Sequence, residues 1–494
     1  MQIDCSMSSR RLYPFLIAAL GISPVLSHAQ SSQAQSNSAQ FEAQKQGRYV
    51  YTPFTAMSSP VVLPMDGKLT EADWFTGLDV SLGGVLFPHL HVDTAFGTST
   101  TEQQNLQLGH HDPSQNGFTW QNIEFGLSGR FNEYFEAFGT YAAVVDSEGH
   151  WEGIYEEWFA KLQNLKAGAL GEFELRGGRI YNRFGIQNTY HPHGFDWADQ
   201  YLVNARVLGE DSLTIIGADV TWKLPVAWTS QLDVAVGVAP EGHAHHHHGS
   251  REIEGAMFEA EGAGFDDVMT VANWTNIYNY NDFHQYRAGI SGAWGDNQYG
   301  RGTEIYGAHF EYQWRQNGFE PGGRYFRWRT EMMWRRWGAQ SGVLGGHDDH
   351  GHDDHGHDDH DEHEHEDEHH DEVAHHDEHE EEHHDEHGEE HHDDDHESEA
   401  LDRANFRDFG FYTSLLYGFN SRFEAGLRAE YVTGDRAAGL DDRFRLSPGL
   451  TYYINDARTV RFRVQYNYDN SSEFGDDHSV WGQVSFNWGG PEVR

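Results

Sequence analysis

Long, strict alternation of apolar and polar side chains is what most limits the folds open to this chain. In Thr459 to Asp469, Val460, Phe462, Val464, Tyr466 and Tyr468 fall on one face and Arg461, Arg463, Gln465, Asn467 and Asp469 on the other. Phe423, Ala425, Leu427, Ala429 and Tyr431 alternate in the same way with Glu424, Gly426, Arg428 and Glu430. A third case sets Phe326, Trp328, Thr330, Met332 and Trp334 against Arg327, Arg329, Glu331 and Arg335. A period of two puts each set on its own side of a pleated strand. Strands of a soluble sandwich are usually about five or six residues long. These segments run to about ten or more with aromatics near their ends, the pattern of a barrel wall with lipid on one side and water on the other. No run of about 18 apolar residues is present to cross a membrane as a helix. A chain of this kind enters a membrane only as a closed barrel.

The expected fold is therefore all-β, a transmembrane antiparallel β-barrel of about 16 strands, within a range of 14–18, with long external loops. The segments begin near 84, 117, 133, 151, 170, 213, 230, 268, 284, 303, 323, 406, 422, 443, 459 and 478. Short connections near Phe131, Ala227, Asn281, Asn420 and Asp456 alternate with longer ones, as periplasmic turns alternate with external loops. With both termini inside, the external loops include 98–116 with His110, His111 and Asp112, 182–212, 240–267 and 338–405. The face carrying Arg327, Arg329, Glu331, Arg335, Glu424, Arg428, Glu430, Arg461 and Arg463, together with Arg443 and Arg445, is assigned to a wet lumen. Two readings of it stand open, an Arg and Glu ladder as in ordinary porins and a positive field selecting anions.

Between His347 and Glu397 the chain holds only His, Asp and Glu apart from Gly351, Gly356, Val373, Ala374 and Gly388. With so little apolar surface to bury, such a tract has nothing to offset the cost of ordering its backbone. It offers ligands instead. His347, His350, His352, His355, His357, His360, His363, His365, His369, His370, His375, His376, His379, His383, His384, His387, His391, His392 and His396 stand among carboxylates. Neutral imidazole with carboxylate suits Zn²⁺ first, with Ni²⁺, Cu²⁺ or Co²⁺ behind it. A plain hydrophilic spacer needs polarity but not imidazole. The tract carries 27 acidic residues and no Lys or Arg, so it supplies −27 of the net charge of −46 and leaves −19 elsewhere. That acidity argues against a nucleic-acid partner and favours cations near the surface. A second cluster lies at His243, His245, His246, His247 and His248.

Two smaller groups complete the metal candidates. His191, His193, Asp196 and Asp199 place two imidazoles and two carboxylates close together. They read either as a site for one ion or as a loop bonded to lumen arginines that folds inward and narrows the pore. His89, His91 and Asp93 recur on one strand face opposite Leu90 and Val92, either as a relay in the lumen or as ordinary polar lining.

Arg10 and Arg11 precede an apolar run from Leu12 to Leu26, and Ser27-His28-Ala29 supplies the small residues of a signal-peptidase site, so residues 1–29 are expected to be a signal peptide. The single Cys5 lies inside it, which leaves a mature chain without cysteine. Residues 30–80 read as a flexible leader, 81–488 as the barrel, with 338–405 a disordered external loop, and 489–494 as a tail. Val480 to Trp488 resembles the aromatic-ended assembly signal of outer-membrane barrels, extended here by Gly489-Gly490-Pro491-Glu492-Val493-Arg494.

Four stretches carry a wider resemblance. They are Gly117-Phe118-Thr119-Trp120-Gln121-Asn122-Ile123-Glu124, Ile154-Tyr155-Glu156-Glu157-Trp158, Gly178-Arg179 and His191-Pro192-His193-Gly194-Phe195-Asp196-Trp197-Ala198-Asp199. In these the chain resembles a family of Gram-negative outer-membrane porin-like proteins, whose members often carry His-rich loops and some of which are associated with zinc uptake. The resemblance implies an outer-membrane location and a link to metal acquisition. A plug ahead of a larger barrel, the layout of TonB-dependent receptors, is not matched.

No Gly-x-Ser-x-Gly elbow, helical His-Glu-x-x-His pattern or Gly-rich phosphate loop is present, so no enzyme and no organic cofactor is expected. Three readings follow: a porin-like channel whose external His loops capture zinc, a general or anion-selective porin with a metal-buffering loop, and a barrel-anchored surface interaction protein. The expected partners are outer-membrane lipid and divalent metal ions, and the sequence leaves open whether the barrel forms a homo-oligomer. If the tract binds as many weak sites, full-length protein should take up several zinc ions without one sharp equivalence point. Retention should fall from about pH 7.5 to about pH 5.5 as imidazoles protonate around their ordinary pKa of about 6.5. Equal retention at both ends would assign the metal to carboxylates and end the zinc-selective reading.

Overall fold

The computed structural model describes residues 85–492 except 102–108, 114–115, 146–149, 210–211, 241–250, 254–255, 259–262, 319–322, 341–402, 436–437, 456–457 and 490–491. The expected signal peptide, the leader, the tract at 347–397 and the cluster at 243–248 lie outside the described residues.

The wall is one closed antiparallel sheet of sixteen positions. In chain order these are β1 (Leu86–Ser99), β2 (Gly117–Arg130), β3 (Phe135–Val145), β4 in two pieces (Trp151–Ile154 and Trp158–Lys166), β5 (Glu172–Tyr181), β6 (Thr214–Lys223), β7 (Thr229–Val238) and β8 (Phe265–Asn281). They continue with β9 (His284–Asn297), β10 (Gly302–Arg315), β11 (Tyr325–Gln340), β12 (Arg403–Gly418), β13 (Phe423–Thr433), β14 (Arg443–Tyr453), β15 (Val460–Ser471) and β16 (Gly475–Gly489). Each pairs with its neighbours in sequence, and β1 closes the ring on β16 from His89 opposite Gly489 to Ser99 opposite Ser479. Closure satisfies every edge, which a strand in lipid requires. The expected starts agree closely with these bounds; the largest offsets are at Phe265, Arg403 and Gly475, expected at 268, 406 and 478. A two-stranded ribbon, Arg251–Ile253 with Ala256–Phe258, stands outside the wall.

The outer face is the apolar set that alternation picked out. Val464 is 58% exposed and Trp328 40%, while Arg461, Arg463, Arg327 and Arg329 between them are buried. Outward aromatics gather at both rims, Tyr286 against Tyr312 and Phe423 against Tyr452 at one, Phe118 against Trp120 and Trp294 against Tyr306 at the other. This is the girdled, lipid-facing exterior of an outer-membrane barrel.

Two irregularities reset which residues face in. Between β1 and β2 the register slips, so that Asp93 faces Asn122 while Thr94 faces Trp120. Gln121 and Asn122 are consequently both buried, and the phase of β2 inverts after them. Without that extra residue Glu124 would face lipid; with it, Glu124 is fully buried inside. In β4 the pairing breaks at 155–157, which lets the consecutive Glu156 and Glu157 both lie buried. Thr140 holds the break, its N–H donating to the Glu157 carbonyl at 2.8 Å and its hydroxyl accepting the Glu157 N–H at 3.2 Å.

The expected wet lumen is filled with protein at this level. The segment between β5 and β6 folds inward and carries two short 3-10 turns, Gln187–Thr189 and Pro192–Gly194, and a helix, α1 (Leu202–Leu208). Its neck is tied by Asn182 N–H to Leu213 O at 2.9 Å and by Leu213 N–H to Asn188 Oδ1 at 2.7 Å. Phe184, Trp197, Tyr201, Val203 and Leu208 bury an apolar cluster against wall residues Phe159, Met333, Tyr412, Leu416 and Val432. Tyr201 stacks on Tyr412 at 3.6 Å. Gly185 passes with φ of 65°, and a Cβ there would stand 2.6 Å from the Glu331 carboxylate, so both backbone and space call for glycine. Val464→Arg, on the outer face, should cost roughly 2 kcal/mol or more in vesicles because it puts a charge in lipid. Unfolding titrations with wild-type protein check it, and no loss would contradict the assignment of that face.

Candidate functional site

The inward segment meets two chemically different arcs of the wall. Along β11 to β15 its acids meet arginines. Asp196 is paired with Arg327 and, at 3.3 Å, with Arg329, which also reaches Glu311 at 2.7 Å. Asp199 accepts from Arg428 at 2.6 Å, Arg445 at 2.8 Å, Gln465 at 2.6 Å and Asn467 at 3.0 Å. Burial alone would raise the Asp199 pKa, but the two guanidiniums hold it down to about 2. Backbone groups of the segment are met as well. Glu331 accepts the Ile186 and Gln187 N–H groups, Glu430 accepts that of Leu202 at 2.7 Å, and Arg461 and Arg463 donate to the Phe195 carbonyl at 3.2 and 2.9 Å. Arg335 pairs with Asp408 at 2.5 Å, and Glu424 accepts the Tyr325 hydroxyl. All eleven residues assigned to the lumen face from sequence are buried inside, bonded to protein, Arg443 and Arg445 through Asp469.

Along β1, β2 and β4 the partners are imidazoles. His191 Nδ1 stands 2.9 Å from Glu124 Oε1 and 3.1 Å from Glu156 Oε2, while its Nε2 is 3.0 Å from Glu157 Oε2. His193 Nδ1 is 2.9 Å from Glu124 Oε2, and its Nε2 is 3.1 Å from Glu492, which also lies 3.1 Å from His91 Nε2. His91 and His193 stack at 3.7 Å. His89 lies beside them, its ring 5.4 Å from that of His91. Gly126 makes the space, since a Cβ there would fall 1.9 Å from His89 Nε2. Burial would lower the His193 pKa, but the Glu124 and Glu492 carboxylates raise it, to about 9. At the rim of this arc His111 Nε2 is 3.4 Å from Glu156 and His110 Nε2 is 3.6 Å from Glu152.

The residues grouped from sequence are therefore redistributed. His191, His193, Asp196 and Asp199 do not converge on one point, because the two aspartates are taken up by arginines of β11, β13 and β14. Likewise Asp93 leaves His89 and His91 and is bonded to Ser485 and, at 3.5 Å, to Arg461. Among the described residues two ligand-like groups form instead, His89 with His91, Glu124 and Glu492, and Glu124 with His191 and His193. Within each, one donor atom per residue lies within 4.8 Å of the others. From sequence, Glu124, Glu156 and Glu157 stand only within the stretches that carry the resemblance and Glu492 only in the tail, none of them among the metal candidates. The paired Glu156-Glu157, which break alternation, were the available signal for two of them.

No family model and no curated protein matches this chain. Among solved structures, it is similar to an anion-selective porin from Comamonas acidovorans at 7% identity, over 82% of this chain and 98% of that one, with a TM-score of 0.43. OccK1 (OpdK) of Pseudomonas aeruginosa gives 10% identity over 82% and 98%, with a TM-score of 0.36. The outer-membrane OmpT of Vibrio cholerae gives 8% over 82% and 97%, with a TM-score of 0.38. At such values nothing about what those proteins carry passes to this chain.

The loop residue Asp112 offers a test of how the inward segment is seated. It accepts the Gln200 N–H at 2.6 Å, and burial together with the neighbouring Asp199 charge pushes its pKa from 3.8 up to about 7. An acid that holds its proton more tightly when folded favours folding most fully below its unfolded pKa and stops doing so above its folded one. Stability should thus decline from about pH 4 to about pH 7 through this group. Asp112→Asn should remove that component, read as the difference between the two proteins' unfolding temperatures across pH. A difference independent of pH would refute the assignment.

Proposed function

We propose that this chain is a porin-like outer-membrane channel whose His- and Asp-rich external loops gather divalent metal, zinc first, at the barrel mouth and so assist its acquisition. The observation that carries the reading is the pairing of a lipid-facing barrel with a lumen whose β1, β2 and β4 arc presents imidazoles and carboxylates together. A lumen built for bulk solute flow has no need of that donor set, whereas a conduit for a borderline cation does. Its acidic remainder of −19 outside the tract points to cations as well.

The anion-selective alternative draws on the arginines of β11 to β15. Those arginines are largely neutralised, since Asp196, Asp199, Asp408 and Asp469 pair with Arg327, Arg329, Arg335, Arg428, Arg443 and Arg445. A paired ladder braces the wall more than it sets a field. Passage in either case depends on the position of the inward segment, which fills the lumen at its own level.

Deleting residues 346–398 should slow growth under zinc limitation and leave the barrel folded, checked by heat-modifiable gel mobility. Unimpaired growth would favour a general porin with a buffering loop. Solute flux through liposomes carrying the purified protein separates both channel readings from a surface interaction protein, which should conduct nothing.

A further inference from the structure

The imidazole and carboxylate cluster combines residues from four separate parts of the chain. His89 and His91 come from β1 and Glu124 from β2, where the register slip turns it inward. His191 and His193 come from the inward segment, and Glu492 from the tail that runs on past β16. His89 is fully buried with neither ring nitrogen hydrogen-bonded, and it is packed against this cluster. A buried imidazole without a partner forfeits the hydrogen bonds it had in water, a cost of about 1–3 kcal/mol unless something else takes the lone pair.

Its neighbours are oriented as metal ligands are. Asn487 Oδ1 accepts from His91 Nδ1 at 2.9 Å, so that the second nitrogen, Nε2, faces Glu492 at 3.1 Å and would turn its lone pair to the cluster once a cation replaces the proton shared there. Glu157 plays the same part for His191, standing 3.0 Å from Nε2 while Nδ1 faces Glu124, and Glu157 is itself held by the Tyr181 N–H at 2.8 Å. A carboxylate or amide behind an imidazole is the usual outer support of a metal-bound histidine.

We propose that His89, His91, Glu124, His191, His193 and Glu492 form an internal site for a borderline divalent cation of the zinc class, with two adjoining positions that share Glu124. One position has His89, His91, Glu124 and Glu492; the other has Glu124, His191 and His193 and keeps a place for water or a passing ligand. Zinc bonds of about 2.0–2.2 Å set tetrahedral donor atoms about 3.3–3.6 Å apart, so the donors need close in only modestly from a spread within 4.8 Å. Three donors and an open place suit an ion in transit, and four suit one that stays. The site is distinct from the external tract, and it rests on the channel reading only in placing the ion on the route through the barrel.

The test uses full-length protein loaded with Zn²⁺ and dialysed against a chelator strong enough to strip the weak, flexible tract sites. Wild type should retain one or two ions, and zinc-edge anomalous scattering from loaded crystals should place density among these six residues. His89→Gln combined with His193→Gln should weaken retention at least tenfold, because even loss of an outer support costs roughly 10–100-fold. If that variant lacks heat-modifiable mobility, Glu492→Gln gives the same readout with the wall and inward segment untouched. Retention unchanged in a folded variant, no retained ion in wild type, or density confined to other residues overturns the site. Retained zinc combined with zinc-limited growth that ignores the barrel would leave the site standing and defeat the transport reading instead.

Discussion

Asp199 is the constraint on which the interior depends. A carboxylate this deeply buried is tolerated only when its charge is met, and here two guanidiniums and two side-chain amides converge on it. Removing one side of such an arrangement strands the other and costs roughly 3–5 kcal/mol. The bond is therefore less a source of net stability than a lock on position. With Asp199 fixed to β13, β14 and β15 and Asp196 fixed to β11, the eight residues before Asp199 have little freedom in where they run. That run reaches β1 and β2, beyond β16, and delivers His191 and His193 to Glu124.

The wall had to be altered to receive them. Regular alternation along β2 would have put Glu124 against lipid, where an ionised carboxylate is costly. One extra residue at Gln121-Asn122 turns it inward, and the break in β4 turns Glu156 and Glu157 in together. Both departures fall on the arc that holds histidines. Over β11 to β15 the wall alternates cleanly along β11, β13 and β15, and the acids of the segment are met by arginines that regular pairing already points inward.

The barrel was legible because a period of two over long segments has a single reading in lipid, and strand starts and turns followed from it. The lumen face of β11, β13 and β15 was legible for the same reason. The site was not, because alternation says nothing about a bulge until the two faces disagree, as they do at Gln121-Asn122 and Glu156-Glu157. At 191–199 closeness in sequence left both a shared metal site and an inward loop bonded to lumen arginines open. Spacing along a loop does not tell which wall each side chain meets, and Asp196 and Asp199 went to arginines while the histidines went to glutamates. Glu492 lay in a tail marked only as an extension past the usual terminal aromatic.

The division of the lumen into two arcs has a chemical consequence. Guanidinium stays protonated at any pH the cell meets, so a carboxylate bonded to arginine is occupied permanently and cannot turn to a metal ion. Imidazole, unlike guanidinium, can lose its proton to a competing cation and then offers a lone pair beside the carboxylate it was bonded to. The same inward segment thus holds its shape through arginine along β11 to β15 and turns its imidazoles to the glutamates of β2 and β4. A cation at Glu124, as proposed above, would leave the Asp196 and Asp199 anchors untouched, because those carboxylates are bonded to other strands of the wall.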